Sequence, residues 1–258
     1  MKSMTAEEYI EQNAQRLGSR RGIRMPREAN AMWRIVWAFV WCIHWFFVRF
    51  VVIGEEKLPH SGGAIVACNH NPYLDFVMLG FCSPRQLFYM AKSEIFEINP
   101  LLTKVLFGVG TFPVDRGSHD AGAINYAKRI LLEGKPLGMF PEGTRSRDGK
   151  LQRGKSGVSR LALEAKVPVV PAVVINSEKV LSTFLTFRRR PVVYVVFGEP
   201  IIPEGDPNSP LALRTLTRKM MVGIAELLPP ERRGYYATPH VVASEEESES
   251  SSITAEKK

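Results

Sequence analysis

The chain lacks an uninterrupted apolar run long enough to cross a bilayer. Its longest lipophilic stretch lies between Ile35 and Val48. A helix over that span reaches ~21 Å at 1.5 Å per residue, short of a hydrocarbon core ~30 Å thick. A secretory signal is not evident either, because the apolar stretch begins only near Ala31 and no small-residue cleavage site follows it. Cysteine is scarce: Cys42, Cys68 and Cys82 are odd in number and show no CxxC spacing. That argues against a disulfide framework and for reduced thiols in a cytosolic setting. No Ser stands in a G-x-S-x-G context, since Gly154-Lys155-Ser156-Gly157 has the wrong spacing, so a serine-borne covalent intermediate is not expected. Zinc-finger spacing and aromatic–basic RNA motifs are missing, which makes nucleic acid the poorest of the possible anionic partners. No internal repeat is visible.

What is present is basic, and unevenly so. The 258 residues carry a net charge of +8. Residues 241–258 contain five Glu and two Lys, a local −3, which leaves +11 for residues 1–240. Such a body suits a phosphorylated substrate or an anionic bilayer. The length and the 45% apolar content fit one substantial domain with small additions at its ends.

Three regions are expected. Residues 1–52 form a basic, Trp-rich, membrane-associating helical segment, with six Arg against one Glu between Arg16 and Arg34. All four Trp (Trp33, Trp37, Trp41, Trp45) follow at four-residue spacing, which puts them along one helical flank. A helix lying in the membrane interface fits this pattern, with Trp at headgroup depth and Arg towards anionic lipid at the cytoplasmic face. Residues 53–235 form the catalytic domain. Residues 236–258 form a Ser/Glu-rich tail whose composition predicts disorder.

Within the middle region, apolar runs rich in Val and Ile alternate with helical patterns. Ala64–Cys68, Gln86–Ala91, Pro136–Phe140, Val167–Ile175 and Pro191–Gly198 read as strands covered on both faces. Helices are predicted near Leu74–Gly80, Glu94–Phe107, Ala121–Leu132, Gly154–Ala165 and Pro210–Leu228. The alternation predicts an α/β fold with a largely parallel central sheet flanked by helices. Ligands of such sheets gather beyond the strand carboxyl ends.

His70-Asn71-Pro72-Tyr73-Leu74-Asp75 stands directly behind the first of those strands. Imidazole is the side chain best suited to take a proton near neutral pH, and a nearby carboxylate can fix its tautomer and steady its charge. Asn71 reads as a helix N-cap and Pro72 as the first helical residue. The intervening turn would let Asp75 fold back onto His70. Three further segments follow in order: Gly110-Thr111-Phe112-Pro113-Val114-Asp115-Arg116, Phe140-Pro141-Glu142-Gly143-Thr144-Arg145-Ser146 and Val167-Pro168-Val169-Val170-Pro171.

These four blocks, over roughly residues 55 to 205, resemble the motifs of the glycerolipid acyltransferases, and most closely those of the 1-acylglycerol-3-phosphate O-acyltransferase family. The resemblance implies acyl transfer from acyl-CoA or acyl-carrier protein to a lysophospholipid hydroxyl, with no metal or resident cofactor. It implies His70 as general base and Asp75 as its partner, with Arg116, Glu142, Gly143 and Arg145 binding the acceptor. Guanidinium offers a fork that matches phosphate oxygens. Thr144 shares a predicted tight turn with Gly143, while Lys92 and Lys155 are placed to add charge to the same pocket. Glu142 has a second reading, an ion pair that orients Arg145 or Arg116. The fourth block's two prolines suggest an irregular or edge strand; the resemblance links it to the acyl donor, and a core strand explains it equally well. Thr111 and Pro113 replace the usual aliphatic residues and put the local backbone of the second block in doubt.

Two rivals differ in class. A metal-dependent phosphohydrolase needs converging ligands, and only His119 is placed to join His70. A membrane-binding module without activity would use the Trp/Arg segment and the basic face alone.

Overall fold

The protein is described here by a computed structural model, whose described residues are 8, 10, 12, 19–26, 28–71, 74–115, 121–180 and 190–237. Arg116, His119, Pro72, Tyr73 and the acidic tail from residue 238 lie outside them.

Eight strands form one sheet: β1 (Ser19–Arg21), β2 (Arg49–Ile53), β3 (Ala64–Cys68), β4 (Phe88–Lys92), β5 (Thr111–Val114), β6 (Pro136–Met139), β7 (Val169–Ile175) and β8 (Val192–Phe197). Their spatial order is β1-β2-β8-β7-β3-β6-β4-β5. Five of the seven neighbouring pairs are parallel; β1–β2 and β7–β8 are antiparallel. Six helices accompany them among the described residues: α1 (Ala31–Phe47), α2 (Asp75–Cys82), α3 (Pro100–Gly108), α4 (Ala121–Leu132), α5 (Gly157–Ala165) and α6 (Pro210–Leu227).

The central strands are apolar throughout because both faces are covered. Ile65, Ala67, Val169, Val173 and Ile175 pack with Ala127, Leu131, Leu161 and Met220 of the helices on one side. Their alternate neighbours Ala64, Val66, Cys68, Val170, Ala172 and Val174 pack with Met78, Leu79 and Cys82 of α2 on the other. Successive residues point to opposite faces with period two, so each strand serves both halves of the core.

The boundary expected between residues 52 and 53 falls inside β2. Arg49–Ile53 leaves α1 with a single residue between, and pairs with β8. The N-terminal segment is therefore built into the sheet. Asn30 caps α1 by accepting a hydrogen bond from the Trp33 amide at 2.8 Å. No helix of the described residues is long and apolar enough to cross a membrane.

The four Trp do not share one environment. Residues four apart in a helix advance by 400°, so the row rotates by ~40° per step. Trp33 is only 4% exposed and stacks on Phe81 at 5.1 Å, whereas Trp45 is 62% exposed. Trp33 thus anchors α1 to α2. Truncating a buried aromatic ring of this kind costs about 3–5 kcal/mol.

Two other expectations are corrected, and one left open between a core and an edge strand is decided. Glu94–Phe107 is two elements: a 3-10 turn at Ser93–Glu97, then α3, restarted at Asn99-Pro100 where the Asn99 side chain accepts from the Leu101 and Leu102 amides. The fourth block is an interior strand. Pro171 sits opposite Ala67 in the β3 ladder, while its carbonyl accepts from Gly198, just past the end of β8. Its missing N–H therefore falls where the partner strand has stopped. Pro113, by contrast, lies in β5 at the sheet edge, where a lost donor is tolerated, and the backbone there is a regular strand paired with β4.

Candidate active site

The carboxyl ends of β3, β4, β5, β6 and β7 lie along one edge, because these strands are mutually parallel. His70 stands two residues beyond β3, Phe140–Glu142 directly beyond β6, and Lys92 ends β4.

His70 is buried on most of its surface and stacked on Phe140, ring centroids 4.1 Å apart. Its Nδ1 faces Asp75, 3.8 Å from Oδ2. That exceeds a hydrogen bond, and Nδ1 has no partner among the described residues. The expected fold-back of Asp75 is present; the expected cap is not. Helix α2 begins at Asp75 itself, with Leu74 at the N-cap. Asn71 is otherwise engaged. Its amide donates to Asp75 Oδ2 at 2.5 Å, and its side chain donates to the Val174 carbonyl at 3.2 Å.

Asp75 is fully buried and held from two sides. Oδ1 accepts from the Ser177 hydroxyl at 2.6 Å, across 102 residues of chain. Ser177 follows Asn176, whose left-handed backbone (φ 70°) turns the chain sharply at the end of β7. The Asn176 side-chain Nδ2 donates to the Val192 carbonyl of β8 at 3.1 Å. Asn69 adds a strap by pairing with both the N–H and the carbonyl of Val174. Ser177 and Asn69 were not singled out in the sequence. The available signal was a polar pair, Asn176-Ser177, closing an otherwise apolar strand.

Glu142 is not where a phosphate ligand would be. It is 2% exposed, and both oxygens are taken: Oε1 by the His70 amide at 2.7 Å, Oε2 by the Gln152 amide at 2.9 Å. Burial pushes its carboxyl up to about 7, against the pull of those two amides. The side chain fixes the backbone that carries the imidazole. Of its alternative reading, an ion pair with Arg145 or Arg116, the pair with Arg145 is not seen among the described residues and Arg116 lies outside them. Gly143 takes the left-handed turn predicted for it (φ 72°), closed by its amide donating to Phe140 at 3.0 Å. Lys155 lies along the outside of that turn, close enough to fill the space of a side chain at 143.

In front of His70 opens a cavity of about 550 Å³. Phe76, Tyr89, Met90, Ile95 and Leu106 give it apolar walls, and Lys92, Thr144 and Arg145 stand on its lining with His70. Of the nine residues expected at the site, the structure brings those four to the cavity and sets Asp75 and Glu142 behind the imidazole. Gly143 and Lys155 shape the loop beside it. Lys92 is paired with Glu94 at 3.7 Å. Arg116 lies outside the described residues; its predecessor Asp115 accepts a hydrogen bond from Ser93, next to Lys92. An imidazole backed by a carboxylate at the mouth of an apolar space can take a proton from a bound hydroxyl beside a lipid chain.

The model of the Acyltransferase family matches residues 49–175. The 1-acyl-sn-glycerol-3-phosphate acyltransferase of Bacillus subtilis is 33% identical over 152 residues, covering 58% of this chain and 72% of that protein. The enzyme of the same name from Borreliella burgdorferi is 27% identical over 150 residues, 57% and 60% of the two chains. The crystal structure of PlsC, the 1-acyl-sn-glycerophosphate acyltransferase of Thermotoga maritima, superposes with a TM-score of 0.55 at 27% identity, covering 74% of this chain and 73% of that one. The chain is an acyltransferase. Within that class it belongs to the 1-acyl-sn-glycerol-3-phosphate acyltransferase family.

Proposed function

We propose that this enzyme moves a fatty acyl group from an acyl thioester, carried on coenzyme A or acyl-carrier protein, to the free hydroxyl of 1-acylglycerol-3-phosphate, making phosphatidic acid. The observation that carries the reading is the His70 imidazole on the lining of the apolar cavity, with Asp75 behind it and Arg145 on the same lining.

The acceptor hydroxyl attacks the thioester carbonyl as His70 removes its proton, a role typically worth ~10²–10⁴ in rate. Asp75 steadies the imidazolium, with Ser177 and Asn71 holding the carboxylate in place. The His70–Asp75 separation of 3.8 Å closes in the reactive complex, as such catalytic contacts commonly do. When the tetrahedral intermediate collapses, the C–S bond breaks and the departing thiolate takes the proton from the ring. The acyl chain lies between Phe76, Tyr89, Met90 and Leu106. Arg145 and Arg116 bind the acceptor phosphate, with Lys92 adding charge. No resident cofactor or metal takes part, and nucleic acid is not a partner. Helix α1 lies on an anionic membrane surface at the cytoplasmic face, where the lipid substrate resides.

The test is thioester release measured across acceptors (lysophosphatidic acid, larger lysophospholipids, glycerol-3-phosphate and a glycolipid alcohol) in the presence of a strong chelator. Wild type is expected to prefer lysophosphatidic acid. Arg145→Ala and Arg116→Ala are expected to lose kcat/KM about 10–100-fold on phosphomonoester acceptors alone, the range for a charge-assisted contact. Equal loss on every acceptor, or none, removes the phosphate assignment.

A further inference from the structure

A second, smaller cavity of about 360 Å³ opens on the same edge of the sheet and takes no part in the chemistry above. Its placement follows from topology. Strand β8 is antiparallel to β7, and β2 is parallel to β8, so their amino ends point the way the carboxyl end of β3 does. With strands ~4.8 Å apart, β2 lies roughly 14 Å from β3. Arg21 from the end of β1, Arg49 from the start of β2 and Arg190 just ahead of β8 line this cavity, together with Trp45, His44 and Tyr194.

Arg21, Arg49 and Arg190 are exposed cations on one cavity lining, and an anion placed among them would offset their mutual repulsion. No carboxylate lines it, and none of the three is ion-paired among the described residues. By contrast, the neighbouring Arg20 is fully engaged by Glu55 at 2.9 Å. Arg190 also donates to the Trp45 carbonyl, which ties the charge to the end of α1. Immediately beside the cavity, that helix exposes Trp45 and Phe46, the latter 70% exposed. Aromatic rings at the rim of a cationic cavity match the boundary between phosphate headgroups and acyl chains.

We propose that Arg21, Arg49 and Arg190 form a receptor for the phosphate of an anionic membrane lipid, separate from the acceptor site, which seats the sheet edge and its catalytic cavity on the bilayer. The inference rests on α1 being interfacial, yet the two readings fail separately.

The experiment is flotation of the full chain with vesicles of pure phosphatidylcholine or of phosphatidylcholine with phosphatidylglycerol. Binding to the mixed vesicles is expected to exceed binding to the neutral ones. Each arginine lost is expected to weaken it ~5-fold, and Arg49→Ala/Arg190→Ala ~30-fold. Arg160→Ala, an exposed cation on α5, is expected to change it less than twofold. Equal binding of wild type to both vesicles overturns the receptor and leaves the interfacial helix standing; binding to neither overturns both. A double variant that still binds like wild type, or an Arg160→Ala variant as weak as it, overturns the receptor. Coenzyme A distinguishes the other phosphate source. If it releases wild type from the mixed vesicles where sodium chloride of equal ionic strength does not, the cavity belongs to the donor and the lipid assignment fails.

Discussion

The two halves of one sheet edge are built on opposite rules. Around β3, β6 and β7, the side chains that position the imidazole are buried and engaged: Asp75 by Ser177 and Asn71, Glu142 by two backbone amides, Asn69 by Val174. Around β1, β2 and α1, arginines and aromatic rings are left in the open. A proton transfer needs its groups held to fractions of an ångström, and low-dielectric networks supply that rigidity. A fluid lipid surface offers no fixed geometry, and exposed, rotatable cations suit it better. The difference teaches where to look for each kind of function.

The largest expected effect breaks the buried half outright. His70→Ala should lower kcat ~10²–10⁴-fold while circular dichroism reports an unchanged fold; turnover within about tenfold of wild type would remove the imidazole from the chemistry. Ser177→Ala comes next. Losing one hydrogen bond to a charged carboxylate should reduce kcat roughly tenfold with KM for the acceptor unchanged, and Ser177→Thr should restore it. A loss of stability with kcat intact would make Ser177 merely structural.

Glu142→Gln sharpens the comparison through pH. The buried carboxyl titrates near 7 in the fold, raised by burial from an ordinary 4.5. Between those values the native chain holds a proton that the unfolded chain has released, so this group's contribution to stability falls as pH rises from 4.5 to 7 and is level outside that window. Melting temperatures of wild type minus variant should decline across that window, and a flat difference would contradict the burial of the charge. The smallest effect belongs to the open half. Phe46→Ser should move stability by no more than ~0.5 kcal/mol while lowering partition onto vesicles severalfold.

Much of the fold was legible because the covered strands announce themselves. Ala64–Cys68 and Ala121–Leu132 have the predicted limits, and β4, β6, β7 and β8 begin or end within two residues of expectation. Strand β2 was not legible, since Arg49–Ile53 continues the apolar character of α1 with no Gly or Pro to mark the change of period. The helix signal at Asn71-Pro72 misled for a local reason: the Asn71 backbone amide donates to Asp75 Oδ2 and its side-chain nitrogen donates to the Val174 carbonyl, which turns the side chain towards β7. His70, Asp75, Arg145 and the cavity edge followed from motif and topology. The supports did not. Glu142 meets His70 across 72 residues and Ser177 meets Asp75 across 102, separations at which no periodicity or spacing carries information.

The left-handed bend at Asn176 has a mechanical meaning. It stops a strand buried along its whole length and redirects the next residue sideways, so the hydroxyl that holds Asp75 is rooted in the interior of the sheet. Through the bond to Val192, the same bend is clamped to the neighbouring strand. The β8 flank of the sheet is thus joined, through Asn176 and Ser177, to the carboxylate behind the imidazole.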